Sequence, residues 1–457
     1  MSKGLESTKC NGYYRLSEDE LLQMEAYCDR YKSFLGNSKT ERTTVANAVR
    51  MLEANGFRPY EKGMSAKPGD RYYFNIRANA LLAAVIGSRP LAEGVRMVAS
   101  HVDSPRLDIR PDPLKEESEA AYLQTHYYGW VRKYQWVSLP LMLQGIVYLA
   151  DGTGVCVNIG ADEADPVLVI PDLLPHMSAE QNKLPLSEAH TGEKLNVLVA
   201  SRPLPDTDRA AAVKMRALRL LNERYGITED DFLSAELEVV PAIPVRDVGL
   251  DRSLIGGYGQ DDRVCGYAAL DALCGIDLPE KTAVMVWADK EEVGNNGITG
   301  ARSRSFDHCL DLLCREQNVE LSDCYDNSFC LSGDVTAAYD PNYEDCFNKQ
   351  NAAKLNYGIA VTKYTGYNGK EQASDAKGEL LSYIRRLFDK HNVIWQSTEM
   401  SRIDLGGGGT VALEFANRGI DTLDGGVAVL GMHSPFEVVS KLDCYMTYKA
   451  YSAVFKG

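Results

Sequence analysis

Ala283-Val284-Met285-Val286-Trp287-Ala288 runs directly into Asp289-Lys290-Glu291-Glu292-Val293-Gly294. The first six residues are apolar and partly β-branched, the composition of a strand buried on both faces. Two adjacent carboxylates therefore emerge where a strand gives way to a glycine-containing loop, which is where open α/β sheets bind ligands. Successive residues leaving a strand point in different directions, so one carboxylate can hold a metal while its neighbour faces substrate as a base. A glutamate pair in a loop is by itself more often a solvated surface, and the other strand ends decide between the two.

Arg96-Met97-Val98-Ala99-Ser100 predicts a second strand, and it delivers His101-Val102-Asp103-Ser104-Pro105 at its end. A histidine followed two residues later by an aspartate suits a metal ligand with an acidic neighbour that orients its ring. Gly256-Gly257-Tyr258-Gly259-Gln260-Asp261-Asp262-Arg263 brings a glycine-rich turn and two carboxylates to the start of a helix over 264–273, where negative charge also suits the helix dipole. Phe329-Cys330-Leu331-Ser332-Gly333 reads as a strand ending at Asp334, and Gly426-Val427-Ala428-Val429-Leu430 as one leading into Gly431-Met432-His433-Ser434-Pro435. His101, Asp261, Glu291 with Glu292, Asp334 and His433 thus all follow an apolar strand or open a helix. Two histidines with three carboxylates suit zinc, manganese or cobalt better than calcium. Two ions ~3.5–4 Å apart, sharing a carboxylate and a water, would use that ligand count fully and leave one glutamate as the base.

The 457 residues are 45% hydrophobic and 25% charged, an ordinary globular composition with room for two or more domains. A formal charge of −15 provides no sequence-wide basic field, which argues against nucleic acid or an anionic membrane surface as partner. The eleven cysteines are scattered without a Cys-x-x-Cys pair and read as reduced, buried thiols of a cytoplasmic protein. Met1 to Thr8 lacks the apolar stretch of a signal peptide, and no run of about eighteen apolar residues could span a bilayer.

Residues 17–54 predict two helices, the first opened by a capping box at Ser17-Glu18-Asp19-Glu20 and the second closed by Asn55-Gly56. Residues 72–76 and 81–87 predict adjacent strands. From about 106 to 245 the texture changes to short β-like runs, among them Val167-Leu168-Val169-Ile170, with one helix over 206–225. Further helices are expected over 305–317, 373–390 and 411–417, and a strand over 359–364 with Lys363 near its end. The reading is an α/β fold: a mixed, largely parallel sheet flanked by helices, built from residues 1–106 and 246–457 and interrupted by a β-rich domain over 107–245.

The order of His101-Val102-Asp103-Ser104-Pro105, Asp261-Asp262-Arg263, Asp289-Lys290-Glu291-Glu292-Val293-Gly294, Ser332-Gly333-Asp334 and Met432-His433-Ser434 resembles the aspartyl aminopeptidase family over nearly the whole chain. The resemblance implies a metallopeptidase domain interrupted by a dimerisation domain, a homo-oligomer in which dimers build a tetrahedral dodecamer, peptide substrates, and removal of N-terminal acidic residues with two divalent metal ions, zinc first and manganese or cobalt next. It implies His101 and Asp334 as ligands of one ion, Glu292 and His433 of the other, Asp261 rather than Asp262 as the bridge, Glu291 as the general base and Asp103 as the partner of His101. It further implies that His176 reaches across a dimer interface toward substrate, that Lys363 is the cation facing an acidic side chain, and that Gly407, Gly408 and Thr410 lie against substrate. Tyr364 to Lys370 and Ala373 to Ala376 are closer to a bacterial branch than to the animal form, which keeps a broader specificity open beside the acidic one. A binuclear deacylase or carboxypeptidase of the same clan and an inactive assembly scaffold are the rival readings.

Overall fold

A computed structural model describes residues 9–205 and 210–457; residues 1–8, read above as lacking the apolar stretch of a signal peptide, and the start of the helix expected over 206–225 lie outside the described residues. The chain divides into a larger unit, Met1–Asp103 with Val245–Met432 and Glu437–Gly457, and a smaller one, Ser104–Pro244 with His433–Phe436.

In the larger unit the strands are β1 (Arg58–Pro59), β2 (Arg71–Ile76), β3 (Ala80–Val85), β4 (Val95–His101), β5 (Arg246–Val248), β6 (Leu254–Gly257), β7 (Thr282–Ala288), β8 (Phe329–Ser332), β9 (Thr336–Ala337), β10 (Ile359–Thr362), β11 (Trp395–Thr398), β12 (Asp421–Gly426), β13 (Ala428–Leu430) and β14 (Glu437–Ser440). Nine of them form one sheet in the order β1-β2-β3-β7-β4-β8-β12-β10-β11. β7, β4, β8 and β12 run parallel to their neighbours in that order, while β3 and β10 join antiparallel. The sheet is mixed and its centre is parallel.

The quoted stretch shows why. Every residue of β7 is buried. Ala283, Met285 and Trp287 belong to one apolar layer, Val284, Val286 and Ala288 to the other, as the two-residue strand period requires. One layer packs helices α1 (Glu18–Asn37), α2 (Glu41–Ala54), α3 (Gln260–Cys274) and the C-terminal helix Lys441–Lys456 against the sheet; the other holds Phe306, Leu310 and Leu313 of the helix Ser305–Glu316. Both N-terminal helices carry their capping boxes, Ser17 with Glu20 and Thr40 with Thr43.

Three local readings need correction. The run over 426–430 is not one strand: β12 ends in the large sheet and β13 enters a second sheet, ordered β5-β6-β14-β13-β9, that hydropathy gave no sign of. The break falls where a Cβ on Gly426 would lie 2.0 Å from the Asp334 carbonyl oxygen, so the backbone crosses there too closely for a side chain. The helix expected over 373–390 begins only at Gly378, because the Ala376 N–H donates to the Lys363 carbonyl (2.9 Å) and pins the preceding residues to the end of β10. Val167–Ile170 makes only isolated bridges, Leu141 to Leu168 and Val169 to Leu198.

The smaller unit holds a six-stranded antiparallel sheet, in order Gly154–Ile159, Leu141–Tyr148, Ala235–Pro241, Arg106–Glu117, Ala120–Tyr128 and Val197–Ala200, with the helix Ala212–Tyr225. All eleven cysteines are unpaired and only Cys156 is exposed. Among the described residues, no helix is long and apolar enough to cross a membrane.

Candidate metal centre

The order β7-β4-β8 brings three chain segments to one edge. Ala288 lies opposite His101 across β7 and β4, and Ser332 opposite Ala99 across β4 and β8. Glu291 and Glu292, His101 and Asp334 therefore leave the carboxyl ends of three adjacent parallel strands, the position where such sheets bind ligands. The fourth contribution comes from the head of α3, where Asp261 (φ −80°, ψ 110°) and Asp262 (φ −116°, ψ 28°) are not helical and the regular turns begin after them.

His101 sits at the middle, buried. Its Nε2 is 3.1 Å from Asp261 Oδ1 and 3.9 Å from Asp334 Oδ1. Its Nδ1 lies 3.1 Å from the Asp103 carbonyl and 3.3 Å from Asp103 Oδ1, so Nδ1 donates to Asp103 and Nε2 is turned toward the other acids. The Asp103 carboxylate does more than orient this ring. Its Oδ1 accepts from the Glu291 N–H (3.2 Å) and its Oδ2 from the Glu292 N–H (3.1 Å), so one side chain ties the histidine to the glutamate turn. Asp262 Oδ2 accepts from the His101 N–H (3.4 Å), and Glu437 Oε2 accepts from the Asp261 N–H (3.2 Å). Ligand atoms of His101, Glu291 and Glu292, and again of His101, Asp262 and Asp334, lie within 4.8 Å of one another.

The electrostatics are those of acids gathered out of water. Burial, then the charges of Asp262, Glu291 and Asp261, drive the Asp334 carboxyl well above the usual carboxylate range against the opposing pull of His101. Burial and the adjacent Asp261 do the same to Asp262. Burial pulls the His101 imidazole down, yet Asp103, Asp261, Asp334 and Glu291 overcome it and hold the ring well above its ordinary value. An imidazole and carboxylates that repel one another in a buried space fit a divalent cation of the zinc type, which takes nitrogen and oxygen ligands and cancels the repulsion.

A family model described as aminopeptidase I zinc metalloprotease (M18) matches residues 34–455. The chain belongs to the M18 aminopeptidase family. It is a metallo-aminopeptidase. A probable M18 family aminopeptidase 1 of Borrelia garinii subsp. bavariensis is 43% identical over 456 residues, 98% of this chain and 99% of that one. The crystal structure of an M18 aminopeptidase from Thermotoga maritima superposes with a TM-score of 0.95 at 42% identity, covering 99% of this chain and 100% of that one. The mApe1 dodecamer of S. cerevesiae shares the fold at 20% identity, with a TM-score of 0.77 over 95% and 97% of the two chains.

The remaining residues singled out in this M18 chain lie on loops. Lys363 is exposed just beyond β10. The Gly366 N–H donates to the Gly408 carbonyl (2.8 Å), and a Cβ on Gly407 (φ +156°) would lie 1.9 Å from the Gly366 carbonyl oxygen, so the glycine segment is laid directly on the loop after Lys363. Thr410 is buried and its hydroxyl donates to Asp424 Oδ1 (2.8 Å). In the smaller unit, His176 is exposed on the short turn Pro175–Met177, and His433, at φ 65°, sets Nδ1 3.3 Å from the Trp130 carbonyl. Glu437 and the double hydrogen-bond role of Asp103 escaped the sequence reading. Glu437 follows Pro435-Phe436 with no motif around it, and a backbone acceptor role leaves no pattern in side-chain order.

Proposed function

We propose that this M18 aminopeptidase removes N-terminal residues from peptides, acidic ones by preference, with two divalent ions, zinc first and manganese or cobalt next, and with Glu291 as general base. The observation that carries the reading is the gathering of acids around the buried His101 at one edge of the sheet, where burial and acidic neighbours drive up the carboxyls of Asp334 and Asp262. His101 and Asp334 are assigned to one ion, Glu292 and His433 to the other, and Asp261 to both; the assignment of His433 rests on the sequence motif. Bound there, the ions would supply a lowered water pKa and positive charge for the carbonyl oxygen. Asp103 holds His101 and the two glutamate amides in register. Glu291 accepts the proton of the attacking water and returns it to the leaving amine. Lys363 faces the acidic side chain, with Gly407, Gly408 and Thr410 shaping the backbone beside substrate.

The region over 107–245 is proposed as the dimerisation domain, with His176 directed to the substrate of a neighbouring copy, and dimers as the units of a dodecamer. The chain is assigned to the cytoplasm on its unpaired cysteines.

Protein loaded with zinc, manganese or cobalt in turn is offered peptides beginning with Asp, Glu, Leu or Lys, and an N-acetylated copy of the best of them. Release is expected from free amines alone, fastest for Asp and Glu. Faster release of Leu or Lys replaces the acidic preference with a broad one, and cleavage of the acetylated copy removes the free-amine requirement.

A further inference from the structure

The loop over 289–300 closes on itself before it presents the glutamates. The Asp289 N–H donates to the Thr299 carbonyl (3.1 Å), the Thr299 hydroxyl donates to Asp289 Oδ2 (2.6 Å), and Asp289 Oδ1 accepts from the Lys290 N–H (2.8 Å). Asp289 is fully buried and Thr299 nearly so, at 0% and 5% exposure. A second rung lies beyond the first: the Asn295 N–H donates to the Lys290 carbonyl (2.7 Å), and a Cβ on Gly300 would lie 2.3 Å from the Asn295 carbonyl oxygen. Inside this neck the backbone takes positive φ at Lys290 (68°), Gly294 (94°), Asn295 (62°) and Gly297 (99°). Lysine enters that region only at a cost of about 1 kcal/mol or more, while asparagine and glycine enter it readily, so Lys290 is where closure of the neck imposes the shape of the loop.

Both Asp289 oxygens are engaged within the loop, and among the described residues Asp289 is in none of the groups whose ligand atoms gather closely enough to hold a metal. Its part is mechanical. The two glutamates are held between Asp103, at their amides, and the clasp of Asp289 with Thr299, at the base of the loop. We infer that Asp289 and Thr299 are positioning residues of the reaction, whose clasp sets the direction in which Glu291 meets its proton. The inference rests on the assignment of Glu291 as base.

Thr299→Val keeps the shape and the burial of the side chain and removes only the O–H. A displacement of about 1 Å at a reacting group costs about 10²-fold, so kcat is expected to fall about 10–100-fold with KM, bound zinc and thermal midpoint close to wild type. Thr299→Ser, which restores the hydroxyl, returns kcat to near wild type. Hydrogen exchange of the amides over 290–295 quickens in Thr299→Val and not in Thr299→Ser, in metal-loaded and metal-stripped protein alike. Wild-type kcat in Thr299→Val, a Thr299→Ser as impaired as Thr299→Val, or a loss of kcat with exchange unchanged would overturn the inference. Glu291→Gln in the same assay separates the two claims: if it stays active the base assignment falls, whereas a silent Thr299→Val beside a dead Glu291→Gln removes the clasp alone.

Discussion

Asp334 and Asp247 expose the same 9% of their side chains, yet their neighbours carry opposite charge. Around Asp247 stand Lys32 at 2.7 Å, Arg252 at 2.9 Å and Lys441 at 3.4 Å. Burial alone would raise that carboxyl, but Lys32, Arg252 and Lys441 hold it down at about 2. At Asp334 burial is the largest influence, and Asp262, Glu291 and Asp261 add to it against His101, so the carboxyl is pushed up. The contrast separates two uses of a buried acid. Where the fold needs a carboxylate for structure it supplies the cations from its own chain; where the acids face one another, the charge that stabilises them must come from outside.

The sharpest way to break that contrast is Asp334→Asn. In the metal-loaded enzyme kcat/KM is expected to fall by ~10³ or more, the scale of losing one member of a catalytic constellation. In metal-stripped protein the same substitution puts a neutral amide where burial and the neighbouring acids oppose a charge, so its thermal midpoint should match or exceed that of stripped wild type. Calorimetry with and without chelator decides the matter. A stripped Asp334→Asn that melts well below stripped wild type would make the acids part of a structural network, and the distinction between the two aspartates would vanish.

Lys363 extends the contrast to a cation, exposed at the end of β10 beside the glycine loop. Lys363→Ala should lower kcat/KM about 10–100-fold for Asp- and Glu-terminated peptides, ~1.4–2.8 kcal/mol of transition-state binding, and leave Leu-terminated ones unchanged. Equal losses on all substrates would make the lysine a support of the loop and not a reader of charge.

The two regions were unequally legible in the sequence. β7 announces itself because a strand buried on both faces is apolar almost throughout, β4 because Met97-Val98-Ala99 does the same at its centre, and the residue types change abruptly where each strand ends. His101, Asp334 and the glutamates are found by looking at those changes. The head of α3 is less legible: Asp261-Asp262 looks like the acidic first turn of a helix, but both residues are non-helical, a departure imposed by packing against His101 and Glu437. Least legible is the ground around Lys363, where the loop is shaped by backbone bonds to Gly408 and by the N–H of Ala376 on the Lys363 carbonyl. Backbone pairing between loops carries no side-chain period, so the helix after it was expected five residues too early. The small sheet of β5, β6, β14, β13 and β9 went unseen for a related reason, since strands of two to four residues are too short to display alternation.

Asp247→Asn is expected to act least, and on stability instead of rate. It weakens the charged hydrogen bonds from Lys32 and Arg252 and removes the negative charge beside the buried Lys441, which keeps Glu25 at 2.6 Å as its other partner, so the loss should be about 1.5–3 kcal/mol at pH 7 with peptidase activity unchanged. The pH dependence has a fixed sign. The folded carboxyl, at about 2, lies below its ordinary 3.8, so the unfolded chain takes up the proton first and the stabilisation is complete above 3.8 and lost as pH falls through about 2. The gap in denaturation midpoint between wild type and Asp247→Asn, compared in the same metal state, should therefore hold steady from about pH 5 to 8 and narrow at about pH 3. A gap that widens on acidification would mean that Lys32, Arg252 and Lys441 do not favour the charged form, leaving Asp247 no better provided with cations than Asp334.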